Sequence, residues 1–478
     1  MPKLITRFAP SPTGYIHVGN IRAALFPYLL AAQNNGTMIL RIEDTDQARF
    51  VEGATNLIVE SLKWIGIEWN EGYLIGGDHG PYEQSQRKDI YLKYANKLIA
   101  ENKAYADPYS QDEIETFRQE AISRKKPFLY RNHRPANPPA WDGKQPLRLK
   151  VEPEATTWND PIMGELSAGP EAQDDFILIK SDGLPTYNFA HIVDDYEMEV
   201  THVIRGLEYI SSIPKYLSLY KALDIKPPVL ACMPHILAPE GNKKLGKRDG
   251  AKSVTEYKEQ GILPEAMLNF LASLGWNDGT NQEIYSKQEL IEKFSLDKVQ
   301  KSGARFDEKR LLWMNGQWIR RISLEDLYGR VGTYWPAKAS DFSDEYKMSV
   351  LKIAQDRLKL LSDLSSITAF FFEEPKIDLS FIENDKQLSK LPKAQLAGIL
   401  HQAIAEFKKI EDFNADNIQT SLNHLLESLG QKPIILFSII RLATSWAAYS
   451  PELPASLEIL GKDKTIERLA NSASYLEK

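Results

Sequence analysis

His17 and Gly19 on one side, and Lys244 and Lys247 on the other, have the residue types and spacing for phosphate chemistry. His17 and Gly19-Asn20 follow Arg7-Phe8-Ala9-Pro10-Ser11-Pro12-Thr13-Gly14-Tyr15-Ile16. An imidazole can donate a hydrogen bond there, and the glycine beside it lets a nucleotide come close to the backbone. Lys244 and Lys247 stand three apart in Lys243-Lys244-Leu245-Gly246-Lys247-Arg248. Such a pair can straddle the β- and γ-phosphates of ATP while negative charge moves onto pyrophosphate. Each segment alone also has a plain reading, a strand-to-helix turn with a satisfied histidine and a solvated surface loop.

These side chains need elements to hold them. Leu4, Ile5 and Phe8 are β-prone, prolines and glycine break the run, and Ile21-Arg22-Ala23-Ala24-Leu25-Phe26 looks helical. A helix N-terminus entered this way offers unpaired N–H groups and partial positive charge, which suits phosphate. Thr37-Met38-Ile39-Leu40-Arg41-Ile42 reads as a buried parallel strand ending in Glu43-Asp44-Thr45-Asp46. Acids at the carboxyl end of a strand in an open α/β sheet point into the ligand crevice, although a charged strand end is also an ordinary solvated turn. The spacing of Leu57, Val59, Leu62 and Ile65 predicts an amphipathic helix that Gly66 ends. Residues 176–180 and 201–206 read as strands, and 266–274 as a helix closed by Gly275. Past about residue 323 strand signals vanish. Leu351, Ala354, Leu358 and Leu361 share one helical face, as do Leu396, Ile399, Ala403, Ile404 and Phe407, with Pro392, Pro433, Pro451 and Pro454 as punctuation.

Ala9-Pro10-Ser11-Pro12-Thr13-Gly14 followed by His17-Val18-Gly19, then Ile42-Glu43-Asp44-Thr45-Asp46, then the lysine loop, resemble the signatures of class I aminoacyl-tRNA synthetases in their bacterial glutamyl-tRNA synthetase form. The resemblance implies an α/β class: a Rossmann-type nucleotide-binding fold split by an insertion, followed by a mainly helical anticodon-binding region. It divides the chain into a first half-fold at 1–75, an acceptor-end-binding insertion at 76–184 and a second half-fold at 185–238. A stem-contact connecting domain with the mobile lysine loop follows at 239–322, and the helical region at 323–478. His17, Gly19, Lys244 and Lys247 are then catalytic. Pro10, His17, Gly19, Asn20, Glu208, Ile236, Leu237 and Lys247 surround ATP. Arg7, Ala9, Ser11, Glu43, Tyr187, His191 and Arg205 surround glutamate, with Glu43 toward the α-ammonium group. Two positions depart from the family pattern, His191 where many relatives carry Asn and Gly246 where the lysine signature has Ser. The missing hydroxyl implies slower activation or altered loop closure.

Arg205, supported by Arg7, favours glutamate over glutamine. A guanidinium neutralises a second carboxylate through paired, charge-assisted hydrogen bonds, whereas beside glutamine it is a buried cation without a counter-charge. Pairing of Arg205 with a structural acid is the competing reading. The implied activity is ATP- and Mg²⁺-dependent attachment of L-glutamate to the 3′ end of tRNA-Glu through glutamyl-adenylate. The alternatives are an enzyme that also charges tRNA-Gln with glutamate, and an inactive tRNA-binding homologue.

A chain of 478 residues has room for about three domains. Its net charge of −7 does not attract nucleic acid, so a tRNA must meet local basic patches. Two candidates are Arg124, Lys125, Lys126, Arg131 and Arg134 among aromatics, and Lys301, Arg305, Lys309, Arg310, Arg320, Arg321 and Arg330. A solvated charged face is the other explanation of such runs. The single cysteine, Cys232, excludes an intrachain disulfide and argues against thiolate zinc, so no protein-bound metal is expected. No secretory signal or membrane-spanning run is evident, and a cytoplasmic monomer without a membrane partner is expected.

Overall fold

The computed structural model describes residues 3–14, 16–246 and 252–478. Lys247, with the rest of 247–251, lies outside the described residues. The first part of the α/β fold runs β1 (Ile5–Phe8), α1 (Val18–Gln33), β2 (Thr37–Leu40), α2 (Ala54–Ile65) and β3 (Glu71–Gly72), with the three strands parallel in the order β1-β2-β3. Every residue of β1 and β2 is buried, as expected of strands covered on both faces. The expected strand at 37–42 is assigned only to Leu40: the Arg41 amide makes the last bond to β1, at Phe8 O, and the Ile42 amide turns to Tyr82 O. Gly66 closes α2 at φ 77°, a conformation open to glycine at no steric cost.

An inserted segment follows, with α3 (Lys88–Ala100), β4 (Ala104–Ala106), α4 (Gln111–Ser123), β5 (Leu147–Leu149), β6 (Thr156–Asp160), β7 (Gly164–Ala168) and β8 (Ile177–Ile179). Strands β4, β5 and β8 form one antiparallel sheet, and β6 and β7 a hairpin. The chain then resumes α/β order with α5 (Tyr187–Glu197), β9 (His202–Gly206), α6 (Ile213–Leu223) and β10 (Val229–Met233), the two strands parallel. Thr201 joins the halves: its amide donates to Ile5 O at 2.9 Å, and its hydroxyl accepts from the Ile5 amide at 2.9 Å. From this seam the connections wind one way toward β2 and the other toward β10. The carboxyl ends of β1 and β9 therefore open onto a topological switch point, where sheets of this kind hold their ligands.

The chain forms two compact units, Met1–Tyr257 with Met267–Asp307, and Lys258–Ala266 with Glu308–Lys478. Among the described residues the second unit is helical. Both helical faces read from the sequence are buried there. Leu351, Ala354, Leu358 and Leu361 pack with Leu263, Ile319 and Leu327. Leu396, Ile399, Ala403 and Phe407 pack in a second cluster, with Ile404 partly buried against it.

The two basic runs are only partly available for phosphate. Arg134 is bound to Asp175 at 2.6 Å, and Arg131 donates to the carbonyls of Pro170 and Gln173. Arg330 is held by Glu265 and Asp326, and Arg305 by the carbonyls of Ala238, Pro239 and Gly241. These four act as struts within the fold. Arg124, Lys125 and Lys126 are exposed.

Candidate active site

The switch point holds a cavity of about 320 Å³. One wall is the turn from β1 into α1, with Ala9, Pro10, Ser11, His17, Gly19 and Asn20. The facing wall comes from the ends of β9 and β10 and the loops that leave them, with Arg205, Glu208, Ile236 and Lys244. Arg7, Glu43 and Tyr187 also line it. Residues from segments more than 200 positions apart thus share one space. Among the described residues, two expected site residues stay outside the lining. Leu237 packs beside Gly303, and its carbonyl accepts from the Phe306 amide. His191 lies against Arg205, with its Nδ1 3.5 Å from Nη2 of that arginine.

His17 is the N-cap of α1. Its Nδ1 accepts from the Gly19 amide at 3.0 Å, while the side-chain oxygen of Asn20 accepts from the His17 amide at 3.2 Å. With Nδ1 serving as acceptor, the hydrogen bonding assigns the proton of a neutral ring to Nε2, which is then a donor. A Cβ at position 19 would sit 2.8 Å from His17 Cε1, so the glycine is what permits this ring position.

Beneath the cavity lies a buried charge network. Asp195 binds Arg7 Nε at 3.0 Å and Arg41 Nη1 at 2.9 Å; Arg41 Nη2 reaches Glu43 at 3.0 Å, and Arg87 Nε reaches Asp194 at 2.7 Å. Burial works to raise the Asp195 carboxyl, but Arg7 and Arg41 overcome it and hold the group well below its usual range. For Glu43, burial wins over Arg41 and Arg7 and pushes the carboxyl up, so a further cation beside it would be favourable. Arg7, which the sequence reading set in support of Arg205, lines the cavity and is ion-paired with Asp195.

Arg205 differs from these arginines. It is 7% exposed, and among the described residues its Nε and Nη1 have no hydrogen-bond partner and no carboxylate lies within ion-pair distance. The pairing with a structural acid that the sequence left open is therefore not made. The guanidinium rests between Tyr209 and Tyr216, 5.0 and 5.3 Å from their ring centroids. A buried guanidinium in this state costs several kcal/mol unless an anion arrives. His191 does not compete for the charge: burial and then Arg205 lower its pKa to about 3, which leaves the ring neutral.

On the facing wall, a narrow turn carries Lys244 back past β11 (Ile236–Leu237), with the Leu245 amide donating to Ile236 O at 2.8 Å. Lys244 Nζ meets Glu208 at 2.7 Å, and His235 lies 3.5 Å from the same carboxylate. Burial would raise the Glu208 carboxyl, yet the Lys244 bond leaves it lowered. Five charged groups of this centre escaped the sequence reading: Arg22, Arg41, Arg87, Asp194 and Asp195. Arg41 had a signal, as the lone charge within the apolar run Met38-Ile39-Leu40-Arg41-Ile42. Neighbouring Asp44 and Thr45 line a second cavity of about 500 Å³.

Residues 3–313 match the family described as tRNA synthetases class I (E and Q), catalytic domain. The chain belongs to this class I synthetase family. Residues 326–473 match a second family, described as the anticodon binding domain. A glutamate–tRNA ligase 2 of Caldicellulosiruptor saccharolyticus is 41% identical over 474 residues, 97% of each chain. A glutamate–tRNA ligase of Bacillus subtilis is 35% identical over 97% of this chain and 98% of its own length. The crystal structure of a glutamate tRNA ligase from Elizabethkingia meningosepticum in complex with its amino acid matches with a TM-score of 0.86 at 33% identity, over 99% of this chain and 100% of that one. The family resemblance, the fold and the helical C-terminal region expected from the motifs are thus present. A class I synthetase uses ATP, and the cavity beside His17 belongs to that catalytic domain. Among the described residues no helix is long and apolar enough to cross a membrane.

Proposed function

We propose that the chain joins L-glutamate to tRNA-Glu in two steps, with glutamyl-adenylate as the intermediate. One observation carries the reading: Arg205 is a buried guanidinium with two unpartnered N–H positions, in the same cavity as the His17 turn and Lys244. Its natural ligand is the side-chain carboxylate of glutamate, which restores charge balance through charge-assisted hydrogen bonds. Glu43, already favouring a neighbouring cation, receives the α-ammonium group, while Tyr187, Ala9 and Ser11 shape the amino-acid side.

The α-carboxylate of glutamate attacks the α-phosphorus of ATP, and pyrophosphate leaves. No side chain acts as a nucleophile; positioning and charge stabilisation supply the rate. His17 donates from Nε2 toward the phosphates at the positive end of α1, with Gly19 and Asn20 beside it and Pro10 across the turn. Ile236 borders the adenine side. Lys244 leaves Glu208 for the triphosphate, and Lys247 joins it there. Mg²⁺ enters as part of the nucleotide substrate, carried by the triphosphate oxygens. The acyl group then passes to a ribose hydroxyl at the tRNA 3′ end. The division of labour follows the sequence: half-folds at 1–75 and 185–238 for activation, 76–184 for the acceptor end, 239–322 for the stem, 323–478 for the anticodon. The chain works as a cytoplasmic monomer in this reading.

Pyrophosphate exchange and aminoacylation with glutamate or glutamine, each with tRNA-Glu and with tRNA-Gln, test it. Glutamate-dependent exchange and glutamylated tRNA-Glu are expected. Transfer of glutamate to tRNA-Gln as well would mark the broader tRNA specificity. Exchange with neither amino acid, or equal exchange with both, overturns the reading.

A further inference from the structure

Arg22 stands one turn into α1, beyond the His17 cap, and it lines the same cavity. It is 5% exposed, which is unusual for an arginine without a carboxylate, and among the described residues none lies within ion-pair distance. Its donors go to backbone carbonyls, Nη1 to Leu274 O at 2.7 Å and Nη2 to Pro234 O, and Nε has no partner. Burial lowers its pKa to about 10, with Glu208 the acid that opposes the shift. Pro234 sits between β10 and Ile236, on the segment that the proposed reading sets beside adenine. One guanidinium therefore ties the phosphate-facing helix to the base-facing segment. A neutral amide could tie a helix to a loop at lower desolvation cost. The charge becomes worth that cost where a polyanion is to be bound.

We propose that Arg22 is a positioning residue of the nucleotide subsite: it fixes the segment from Pro234 to Ile236 relative to the His17 turn and biases the cavity toward the triphosphate. This rests on the reading of the cavity as the ATP site. The test measures KM for ATP and for glutamate separately, by pyrophosphate exchange with tRNA present, in the full chain and in Arg22→Gln and Arg22→Lys. Loss of a charge-assisted tie should raise KM for ATP about tenfold or more in Arg22→Gln. KM for glutamate should stay within about twofold, since Arg205 and Glu43 are untouched. Arg22→Lys keeps the charge but cannot reach both carbonyls, so it should recover part of the ATP affinity. A thermal melt of each variant accompanies the kinetics. A purely architectural arginine would change both KM values alike, or lower kcat and melting point with KM for ATP unmoved, and Lys would rescue nothing; any of these overturns the proposal. A wild-type chain that shows no ATP-dependent exchange overturns the underlying reading of the site, which is a separate result.

Discussion

Arg205→Gln separates the charge of the pocket from its shape. In the folded chain Arg205 is buried, lines the cavity and, among the described residues, has Nε and Nη1 unpartnered. Binding the side-chain carboxylate of glutamate would supply two charge-assisted hydrogen bonds, each worth about 1.5–3 kcal/mol. Their loss should cost about 3–6 kcal/mol, a fall of about 10²- to 10⁴-fold in kcat/KM for glutamate. Glutamine carries no charge to lose, so its weak exchange should hold steady or rise and the ratio between the two substrates should collapse. Stability should move the other way from activity. The free variant no longer buries an unpaired cation, and its melting point should be unchanged or higher. Pyrophosphate exchange over a range of both amino acids, with a melt on the same preparations, reads all three quantities. A loss below about tenfold with glutamate, an equal loss with glutamine, or a melting point that falls with activity would refute the argument that Arg205 is an uncompensated receptor for a carboxylate.

Two further substitutions probe its neighbours. Gly19→Ala puts a Cβ 2.8 Å from His17 Cε1, so the ring must swing off the Gly19 amide; exchange should slow about tenfold or more with KM for glutamate little changed, and an unaltered rate would remove the imidazole from the phosphate step. His191 is held near pKa 3 in the folded chain against an unfolded value near 6.5, so the unfolded state binds more protons between those limits and stability falls as pH drops through that window. By pH 5 the deficit relative to His191→Asn should reach about 2 kcal/mol, seen as a flatter dependence of melting point on pH in the variant; parallel curves would mean that the ring is not the titrating group.

How much of this centre the sequence disclosed depended on distance along the chain. The turn from β1 to α1 was legible because local chemistry makes it: prolines, a glycine and a histidine cap are enough to stop a strand and start a helix. Glu43 was legible as an acid at a strand end, and both helical faces of the second unit from their spacing. What the sequence withheld was pairing. Nothing in Arg7 or Arg205 says which of them meets an acid, and the answer lies at Asp195, 188 residues from Arg7. For the same reason Arg131, Arg134, Arg305 and Arg330 looked like phosphate ligands, although each is occupied by a carboxylate or by carbonyls. A run of cations is visible in one dimension; its neutralisation is decided in three.

That difference also explains why the pocket selects by charge. Around its amino-acid side, four buried guanidiniums, Arg7, Arg41, Arg87 and Arg205, face three buried carboxylates, Glu43, Asp194 and Asp195. The neutral His191 changes nothing in that balance. Free glutamate at neutral pH carries one α-ammonium and two carboxylates, a net charge of −1, which matches the surplus cation. Glutamine, a neutral zwitterion, leaves the surplus in place. Among the described residues the guanidinium left over is Arg205, which lines the cavity and has no carboxylate within ion-pair distance. Charge excess and open hydrogen-bonding capacity thus coincide at one residue. A rearrangement that gave Arg205 a carboxylate, or took Asp195 from Arg7, would shift the surplus elsewhere and blunt the discrimination without changing the size of the cavity.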